Sequence, residues 1–177
     1  MIWAMLLLAY LLGAIPTSYL VSRFGYGIDL RGHGSGNLGA TNVFRVLGWK
    51  AALPVAVVDV AKGWGPAALF PRWDGAPEPE WALAYGGAAI VGHVFSIYVR
   101  FKGGKGVATS AGVFTALAPW ATLAGAVVWI AVVPFLAYVP FNLQRRLTEA
   151  IQVPLYLLAA EGLRRIKGFH DEALRGD

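Results

Sequence analysis

The 177-residue sequence predicts an all-α protein, a polytopic integral membrane helical bundle that forms a single membrane domain over residues 1–177. The first observation is composition: 57% of the residues are apolar and 14% are charged, whereas soluble domains have roughly 45–50% and about 25%. The second is that apolar residues form runs of about 20, the length that crosses a bilayer. The third is that basic residues are concentrated in alternate loops between these runs.

We predict about five transmembrane helices. Residues 1–22 carry no charged side chain and lack the basic start of a cleaved signal peptide, so they form a retained first span. Residues 106–144 are also uncharged, and a helix of that length would cross the hydrocarbon core about twice, with Pro119 as the natural break. The predicted spans are residues 2–22, 49–70, 81–99, 106–119 and 120–140.

The C-terminal segment 141–177 departs from this pattern. Its apolar stretch 149–160 has 12 residues and contains Pro154, which makes it too short to cross a bilayer. Basic residues lie on both sides of the stretch, so both of its ends favour the same side of the membrane. We therefore predict a short re-entrant or interfacial helix there.

The distribution of Lys and Arg predicts the orientation. Loop 23–48 contains three arginines and loop 100–105 contains one arginine and two lysines, whereas the connection 71–80 is acidic overall. The positive-inside rule places loops 23–48 and 100–105 in the cytoplasm and the N-terminus outside. The formal net charge of +5 fits contact with anionic lipid better than binding of nucleic acid, so we expect membrane lipid and no nucleic acid as partners.

Loop 23–48 has the residue types of a phosphate-binding loop. Its closely spaced glycines allow backbone N–H groups to approach an anion. Hydroxyl and amide side chains add neutral donors, and an arginine adds a planar fork that matches phosphate. The candidate binding residues are Gly34, Ser35, Gly36, Asn37, Thr41, Asn42 and Arg45.

The same loop also matches the dinucleotide-binding spacing G-x-G-x-x-G from Gly34 to Gly39, with Asp59 lying 20 residues further on. We reject that interpretation, because the fingerprint requires an apolar strand directly before it, and residues 27–33 contain Gly, Asp, Arg and His. Asp59 also falls inside a predicted span rather than at the end of a strand.

Loop 100–105 and the residues after it form a second candidate anion site. Lys102 and Lys105 flank two glycines, and the chain then enters an apolar helix whose N-terminus attracts anions. A P-loop is not supported, because no Ser or Thr follows Lys105 directly and the first glycine of that motif is missing. The candidate residues are Lys102, Gly103, Gly104, Lys105, Gly106 and Thr109.

Three ionisable residues, Asp59, Lys62 and His93, fall inside predicted spans. Asp59 and Lys62 suit a neutralising pair on one helix face, and His93 suits a packed interfacial histidine. However, charges inside a span are costly and usually functional. Because both glycine-rich loops are predicted on the same side, a site for two phosphates at the cytoplasmic interface is the economical interpretation, with no metal ligands required.

Several strings of the sequence resemble the motifs of the bacterial integral-membrane acyl-phosphate:glycerol-3-phosphate acyltransferase family. They include both glycine-rich loops and the charged residues of the second span, and the resemblance covers residues 1–139. The matching residues are 10–16, 34–42, Arg45, Asp59, Lys62, Gly63, Gly92, His93 and 101–109.

The resemblance implies that the acyl group of a long-chain acyl phosphate moves to the 1-hydroxyl of glycerol 3-phosphate, giving lysophosphatidic acid and phosphate in phospholipid synthesis. It implies no cofactor, no metal, no acyl-CoA and no covalent acyl-enzyme. The lack of cysteine and of a Ser–His–Asp pattern agrees with direct transfer. It also implies a multi-pass protein of the bacterial cytoplasmic (inner) membrane, with the active site on the cytoplasmic side.

For this reaction we assign catalytic roles to His93, Lys105 and Ser35. Lys102, Lys105 and nearby backbone N–H groups would stabilise the leaving phosphate. His93 would orient or deprotonate the hydroxyl, unless a substrate phosphate serves as the base. Asp59 and Lys62 would position the loops from inside the membrane. The residues expected to hold glycerol 3-phosphate are Ser35, Asn37, Thr41, Asn42 and Arg45.

The third motif of that family, built around an Asn with a Glu after a Gly, has only a faint counterpart here. Residues 161–172 contain Arg164, Arg165 and Gly168, but the Asn is missing. Two alternatives therefore stay open beside an active acyltransferase. One is a catalytically impaired paralogue that retains phosphate or lipid binding, and the other is an anion or lipid-phosphate transporter, which the charged residues inside the spans would suit.

Overall fold

The computed structural model describes residues 1–75 and 79–137, and every regular element within them is helical. This confirms the predicted all-α class. A π-helix (Val21–Gly25) continues α2, and 3₁₀ turns cover Leu30–Gly32 and Ile97–Val99. The α-helices are α1 (Ile2–Ala14), α2 (Thr17–Leu20), α3 (Ala40–Leu47), α4 (Trp49–Trp73), α5 (Pro79–Val94), α6 (Val107–Leu117) and α7 (Pro119–Ala137).

Three helical stretches in the described residues are long and apolar enough to cross a membrane: Ile2–Gly25, Trp49–Trp73 and Pro79–Val99. They overlap the first three predicted spans, residues 2–22, 49–70 and 81–99, whose crossing of a membrane stays a prediction. Each exposes many large apolar side chains, which is the arrangement expected of helices that face lipid.

The predicted fourth span is shorter in the structure than a full crossing requires. Helix α6 has 11 residues, and at 1.5 Å per residue it is about 16 Å long, roughly half of the hydrocarbon core. The break falls at Pro119, as predicted, because proline suits the first position of a new helix. Helix α7 has 19 described residues, and segment 141–177 with its predicted interfacial helix lies outside the described residues. Five full-length spans therefore stay a prediction.

The chain divides into two compact units, Met1–Ala124 and Gly125–Asp177. The first unit contains helices α1 to α6 and both glycine-rich loops. In the second, the described residues belong to α7, where Val127, Trp129 and Ile130 are exposed. An exposed apolar helix of this kind is expected in lipid rather than in water.

The first span is not one continuous helix. Helix α1 ends at Ala14, and the chain resumes helical structure at Thr17, after Ile15 and Pro16. Proline has no N–H to donate, so carbonyl groups of the turn before it lose their helical partners. Local N–H groups donate to the oxygens of Leu12 and Ile15, so the Ala14 oxygen is the one that needs a donor from another element.

Glycines allow the helices to approach each other closely. At the contact between α4 and α6, a Cβ on Gly63 or Gly112 would overlap backbone atoms of the facing helix. The same is true of Gly13 and Gly92 at the contact between α1 and α5. Small residues are the usual means of close packing in lipid, where apolar side chains gain little by leaving the solvent.

An apolar core fastens loop 23–48 to α3 and α4. Leu30 and Leu38 of the loop are buried in one cluster with Val43 of α3 and Val55 of α4. Val99, which lies just before the second loop, belongs to the same cluster. Full burial of such side chains is worth about 1.5–3 kcal/mol each, so both glycine-rich loops rest on one apolar support.

Candidate anion-binding site

The two glycine-rich loops meet at Gly104. A Cβ at this position would overlap both the carbonyl oxygen of Leu38 in loop 23–48 and the imidazole of His93 at the end of α5. Only glycine fits this contact, because any side chain would push the loops apart. The structure thus brings together the two loops that the sequence analysis expected to share a site.

Loop 23–48 is shaped by Asn42 of α3, which is 1% exposed. Its Oδ1 accepts a hydrogen bond from the Ser35 N–H (2.9 Å), and its Nδ2 donates to the carbonyl oxygens of His33 (3.0 Å) and Asn37 (3.1 Å). Gly34, with a φ of +59°, lies directly against this amide, in a conformation and a space that suit glycine. Asn42, predicted as a substrate ligand, therefore uses its side chain to hold the loop.

Three other predicted ligands, Ser35, Thr41 and Arg45, are exposed on this loop and on α3. Within the described part of the chain, their side chains make no hydrogen bond or ion pair. Thr41 and Arg45 are four residues apart on α3 and so lie on one face. Two hydroxyl groups and a guanidinium beside a well-held loop are suited to binding a phosphate ester.

Arg31 forms an ion pair within the start of this loop and also contacts the first span. Arg31 Nη2 lies 2.6 Å from Asp29 Oδ2, and Arg31 Nε donates to Asp29 Oδ1 at 3.0 Å. The guanidinium of Arg31 also lies over the ring of Tyr19 in α2, 5.0 Å from its centroid. The hydrogen bonds from Arg31 lower the pKa of Asp29 to about 2.

The second loop folds back onto the end of α5. The N–H groups of Gly103 and Gly104 donate to the carbonyl oxygens of Val94 (3.0 Å) and His93 (3.1 Å). A Cβ on Gly103 would overlap the His93 carbonyl oxygen, so this contact also needs glycine. These two N–H groups, expected from the sequence to help bind the leaving phosphate, are thus already used within the protein.

Charged side chains and backbone N–H groups that suit an anion lie at the start of α6. Lys102 and Lys105 are exposed, and neither makes an ion pair with the residues that the structure describes. Gly106 caps α6 with a φ of +77°, and the first N–H groups of a helix have no partner within the helix. Two ammonium groups beside a helix N-terminus attract a phosphate.

Asp59, Lys62 and His93 form a buried cluster inside the bundle. Lys62 Nζ lies 2.8 Å from Asp59 Oδ1, and His93 Nδ1 lies 3.9 Å from the same oxygen. Lys62 Nζ also donates to the carbonyl oxygen of Ile15 at 2.8 Å, at the break in the first span. Asp59 and Lys62 are thus a neutralised pair that also contacts the break in the first span, and breaking such a buried pair is strongly destabilising.

A small polar cavity lies between the break in the first span and the second loop. It is lined by Thr17 and Ser18 after the break, by Asp59, and by His93 and Ser96 near the end of α5. His93 is 7% exposed, so it faces this cavity and the underside of Gly104 rather than solvent. In residues 1–75 and 79–137, no group of three or more His, Cys, Asp and Glu side chains could hold a metal ion.

Thr109, predicted to bind substrate, is fully buried at the contact between α4 and α6. Its carbonyl oxygen and methyl group pack against Gly63, and its hydroxyl has no hydrogen-bond partner among the described residues. The structure therefore places Thr109 beneath the start of α6 and not on its exposed face.

Two side chains that shape this region had no role predicted from the sequence. The Ser96 hydroxyl donates to the carbonyl oxygen of Ala14, and the Tyr10 hydroxyl donates to that of Phe95 at 2.8 Å. Their partners are 82 and 85 residues away in the chain. No local spacing rule connects positions so far apart, so only the packing of α1 against α5 reveals them.

Known proteins resemble this chain over most of its length. A family model described as "Glycerol-3-phosphate acyltransferase" matches residues 3–169. A glycerol-3-phosphate acyltransferase of Desulforudis audaxviator is 46% identical over 160 residues, which are 90% of this chain and 78% of that protein. One of Macrococcus caseolyticus is 53% identical over 126 residues, which are 71% of this chain and 63% of that protein.

Solved structures agree with these matches. The crystal structure of PlsY (YgiH), an integral membrane glycerol 3-phosphate acyltransferase, in its glycerol 3-phosphate form has a TM-score of 0.72 and 36% identity, covering 90% of this chain and 77% of that one. Its lysophosphatidic acid form has a TM-score of 0.70 and 34% identity, and the match covers 90% of this chain and 76% of that one. The chain thus spans from 63% to 78% of the length of these proteins.

Proposed function

The chain belongs to the glycerol-3-phosphate acyltransferase family, and on that premise we propose that its acyl donor is a long-chain acyl phosphate. It is a membrane acyltransferase of phospholipid synthesis that acts on glycerol 3-phosphate. In the proposed reaction the 1-hydroxyl accepts the acyl group, and lysophosphatidic acid and inorganic phosphate are released. The glycerol 3-phosphate and lysophosphatidic acid forms of the neighbouring structure support this choice of acceptor and product.

The observation that carries the proposal is the contact at Gly104, which joins two surfaces that each suit an anion. One surface has the exposed hydroxyls of loop 23–48 and Arg45, and the other has two lysines at the start of α6. A transfer between two phosphate-bearing substrates requires both phosphates to be held close together in a fixed orientation. A site with a single anion surface would not meet that requirement.

Glycerol 3-phosphate is proposed to bind at loop 23–48. Arg45 and Thr41 hold its phosphate, because they present charged and neutral donors on one face of α3. Ser35 donates its hydroxyl to the same substrate near the reacting end, which is its catalytic role. Asn42 supports binding indirectly, by holding the backbone of Ser35 at 2.9 Å.

The acyl phosphate is proposed to bind at the start of α6. Lys102 and Lys105 stabilise the charge that develops on the leaving phosphate, together with the first N–H groups of the helix. Gly103 and Gly104 contribute by their small size, since their own N–H groups are hydrogen-bonded to α5.

The proposed chemistry is a direct transfer. The 1-hydroxyl oxygen attacks the acyl carbonyl carbon, the bond from that carbon to the phosphate oxygen breaks, and the phosphate leaves. The chain contains no cysteine, and no step requires a covalent acyl-enzyme. His93 is buried beneath Gly104, which favours a substrate phosphate as acceptor of the hydroxyl proton and an orienting role for His93.

The proposal is tested by incubating the purified full-length protein with acyl phosphate and glycerol 3-phosphate. We expect phosphate and lysophosphatidic acid to be released in equal amounts, with acyl-CoA inactive as donor. Tight binding of glycerol 3-phosphate without any release of phosphate would instead identify an impaired paralogue. Movement of labelled substrate across proteoliposomes without release would identify a transporter.

The location follows from the same proposal. The protein lies in the bacterial inner membrane with its N-terminus outside, because loops 23–48 and 100–105 carry the basic residues. Both proposed subsites then face the cytoplasm, where a water-soluble glycerol 3-phosphate can enter, while the acyl chain can stay in the lipid.

A further inference from the structure

The break in the first span is closed by donors from two other helical segments. The Ser96 hydroxyl donates to the carbonyl oxygen of Ala14, and Lys62 Nζ donates to that of Ile15 at 2.8 Å. The Ile15 oxygen also accepts from the Thr17 N–H at 3.0 Å, whereas the Ala14 oxygen has the Ser96 hydroxyl as its donor. Inside a membrane an unsatisfied backbone oxygen is costly, so the Ser96 bond holds the break in one geometry.

Ser96 is also connected to the second loop through its backbone. Its carbonyl oxygen accepts hydrogen bonds from the N–H groups of Phe101 (2.8 Å) and Val99 (3.2 Å). The preceding carbonyl oxygen, of Phe95, accepts from the Tyr10 hydroxyl of α1 at 2.8 Å. One residue thus joins the break, through its side chain, to the turn that leads into Gly103 and Gly104.

The other side of the break leads into loop 23–48. Helix α2 starts directly after Pro16 and contains Tyr19, on which Arg31 of the loop is stacked. A change in the geometry of the break would therefore displace this support of the loop as well. Both glycine-rich loops depend on the same junction, although Ser96 lies on neither anion surface.

We propose that Ser96 is a positioning residue for acyl transfer, whose hydroxyl locks the broken first span against the turn after α5 and so fixes the distance between the two loops. Ser96 is 1% exposed, and it acts through the loops rather than on a substrate. Its kinetic consequence rests on the proposed function, whereas the distance between the loops does not.

The distance can be measured directly, because the chain has no cysteine of its own. Spin labels at Phe44→Cys on α3 and Val107→Cys at the start of α6 use two exposed positions, one beside each loop. We expect one narrow distance distribution in the full-length protein and a shifted or broadened one in Ser96→Ala. Ser96→Thr retains the hydroxyl and should restore the narrow distribution.

Thr115→Ala is the matched control. The Thr115 hydroxyl also donates to a backbone carbonyl oxygen, that of Ala111 at 2.7 Å, but within α6 and away from the break. Its loss should leave the distance distribution unchanged. An equal shift in Thr115→Ala would show that removal of any such hydroxyl loosens the bundle, and it would overturn the specific role of Ser96.

The kinetic arm separates positioning from simple instability. Misplacement of reacting groups by about 1 Å can cost on the order of 100-fold in rate, so we expect kcat of Ser96→Ala to fall about 10- to 100-fold. The KM of each substrate should change less than about threefold, because no ligand is removed. A fall in thermal stability with unchanged kcat would contradict positioning.

An unchanged distance distribution in Ser96→Ala overturns the inference, whatever the activity of the protein. A second outcome separates the two proposals: the wild type shows the narrow distribution and Ser96→Ala shifts it, but neither protein transfers acyl groups. The proposed function then fails, whereas the role of Ser96 in fixing the distance between the loops is supported. Should Ser96→Ala not accumulate in the membrane, Tyr10→Phe removes the neighbouring bond to Phe95 conservatively. A shift in the same direction then supports the lock, and no shift overturns it.

Discussion

Burial separates the polar residues of the two loops into those that hold the protein together and those that remain available to a ligand. The side-chain amide of Asn42 forms hydrogen bonds with three backbone groups of loop 23–48, and Asp59 is paired with Lys62. Arg45 and Lys105, in contrast, are exposed. Because a buried polar group is costly without partners and an exposed one is not, the two groups should respond differently to substitution.

Lys105 should be sensitive to size as well as charge. If it binds the leaving phosphate as a compact ammonium, both Lys105→Ala and Lys105→Arg should sharply reduce phosphate release, because the planar guanidinium fits badly beside Gly104 and Gly106. Loss of a charge-assisted hydrogen bond costs about 1.5–3 kcal/mol, which is about a 10- to 150-fold lower rate. The measurement is phosphate release at saturating substrates.

Lys50→Ala is the control for this prediction, since Lys50 is an exposed lysine at the start of α4 that we place outside the site. Its rate should stay close to that of wild type. If Lys105→Arg keeps more than about half of the wild-type rate, the ammonium is a charge anchor and the assignment of the second loop is wrong.

Asn42 should affect glycerol 3-phosphate more than the acyl donor. Asn42→Asp keeps the shape of the side chain but replaces the buried NH₂ group, which donates to the carbonyl oxygens of His33 and Asn37, with a carboxylate oxygen. An unpaired buried group costs about 1–3 kcal/mol or more, so loop 23–48 should loosen. We expect at least about a tenfold higher KM for glycerol 3-phosphate, measured at saturating acyl phosphate.

Thr122→Ala is the control, because it removes a polar group that lies far along the chain from loop 23–48. Its hydroxyl donates to the carbonyl oxygen of Ala118 at 3.0 Å, and its loss should leave both KM values unchanged. A KM for glycerol 3-phosphate within about twofold of wild type in Asn42→Asp would show that the loop does not need this amide.

Two interrupted elements, rather than continuous helices, position the site. The first span breaks before Pro16, and α6 begins only at Val107, after Gly106 with its left-handed φ of +77°. Each interruption leaves backbone groups near a loop, as carbonyl oxygens in the first case and N–H groups in the second. The Ser96 side chain satisfies the Ala14 oxygen, whereas the first N–H groups of α6 have no partner within the helix.

Loop 23–48 should loosen at low pH through Asp29. The hydrogen bonds from Arg31 lower the pKa of Asp29 from 3.8 to about 2, so the contact contributes its stability above about pH 4 and loses it as the pH falls towards 2. The effect should be small, because both side chains are exposed. A spin label at Phe44→Cys should gain mobility over this pH range.

Asp29→Asn tests the origin of that change, because it removes the titrating carboxylate. The label should then show little additional pH dependence below pH 4. The same increase in mobility with and without the carboxylate would mean that another group controls the loop.

For the whole molecule, the basic loops and the acidic connection 71–80 predict one orientation in the membrane. We expect single cysteines at residues 35 and 102 to be protected from a membrane-impermeant thiol reagent in intact cells, and one at residue 76 to react. Permeabilised cells should label all three. Reaction at residues 35 or 102 from outside would reverse the proposed orientation.

The sequence by itself determined the helical class, the positions of the first three long apolar helices, the start of a helix at Pro119 and the residue types of the two loops. These features depend on hydropathy, charge and the backbone preferences of Gly and Pro, which are local properties of the chain. It also indicated the family, because the matching strings lie in those same loops.

Only the tertiary structure decided which of those residues are available. In the structure the two loops meet at Gly104, and the N–H groups of Gly103 and Gly104 donate hydrogen bonds to carbonyl oxygens of α5. Asn42 and Thr109 are buried. The structure also revealed Ser96, whose partner is 82 residues away. Contacts between distant segments depend on how helices pack, and a single sequence read locally carries no signal for them.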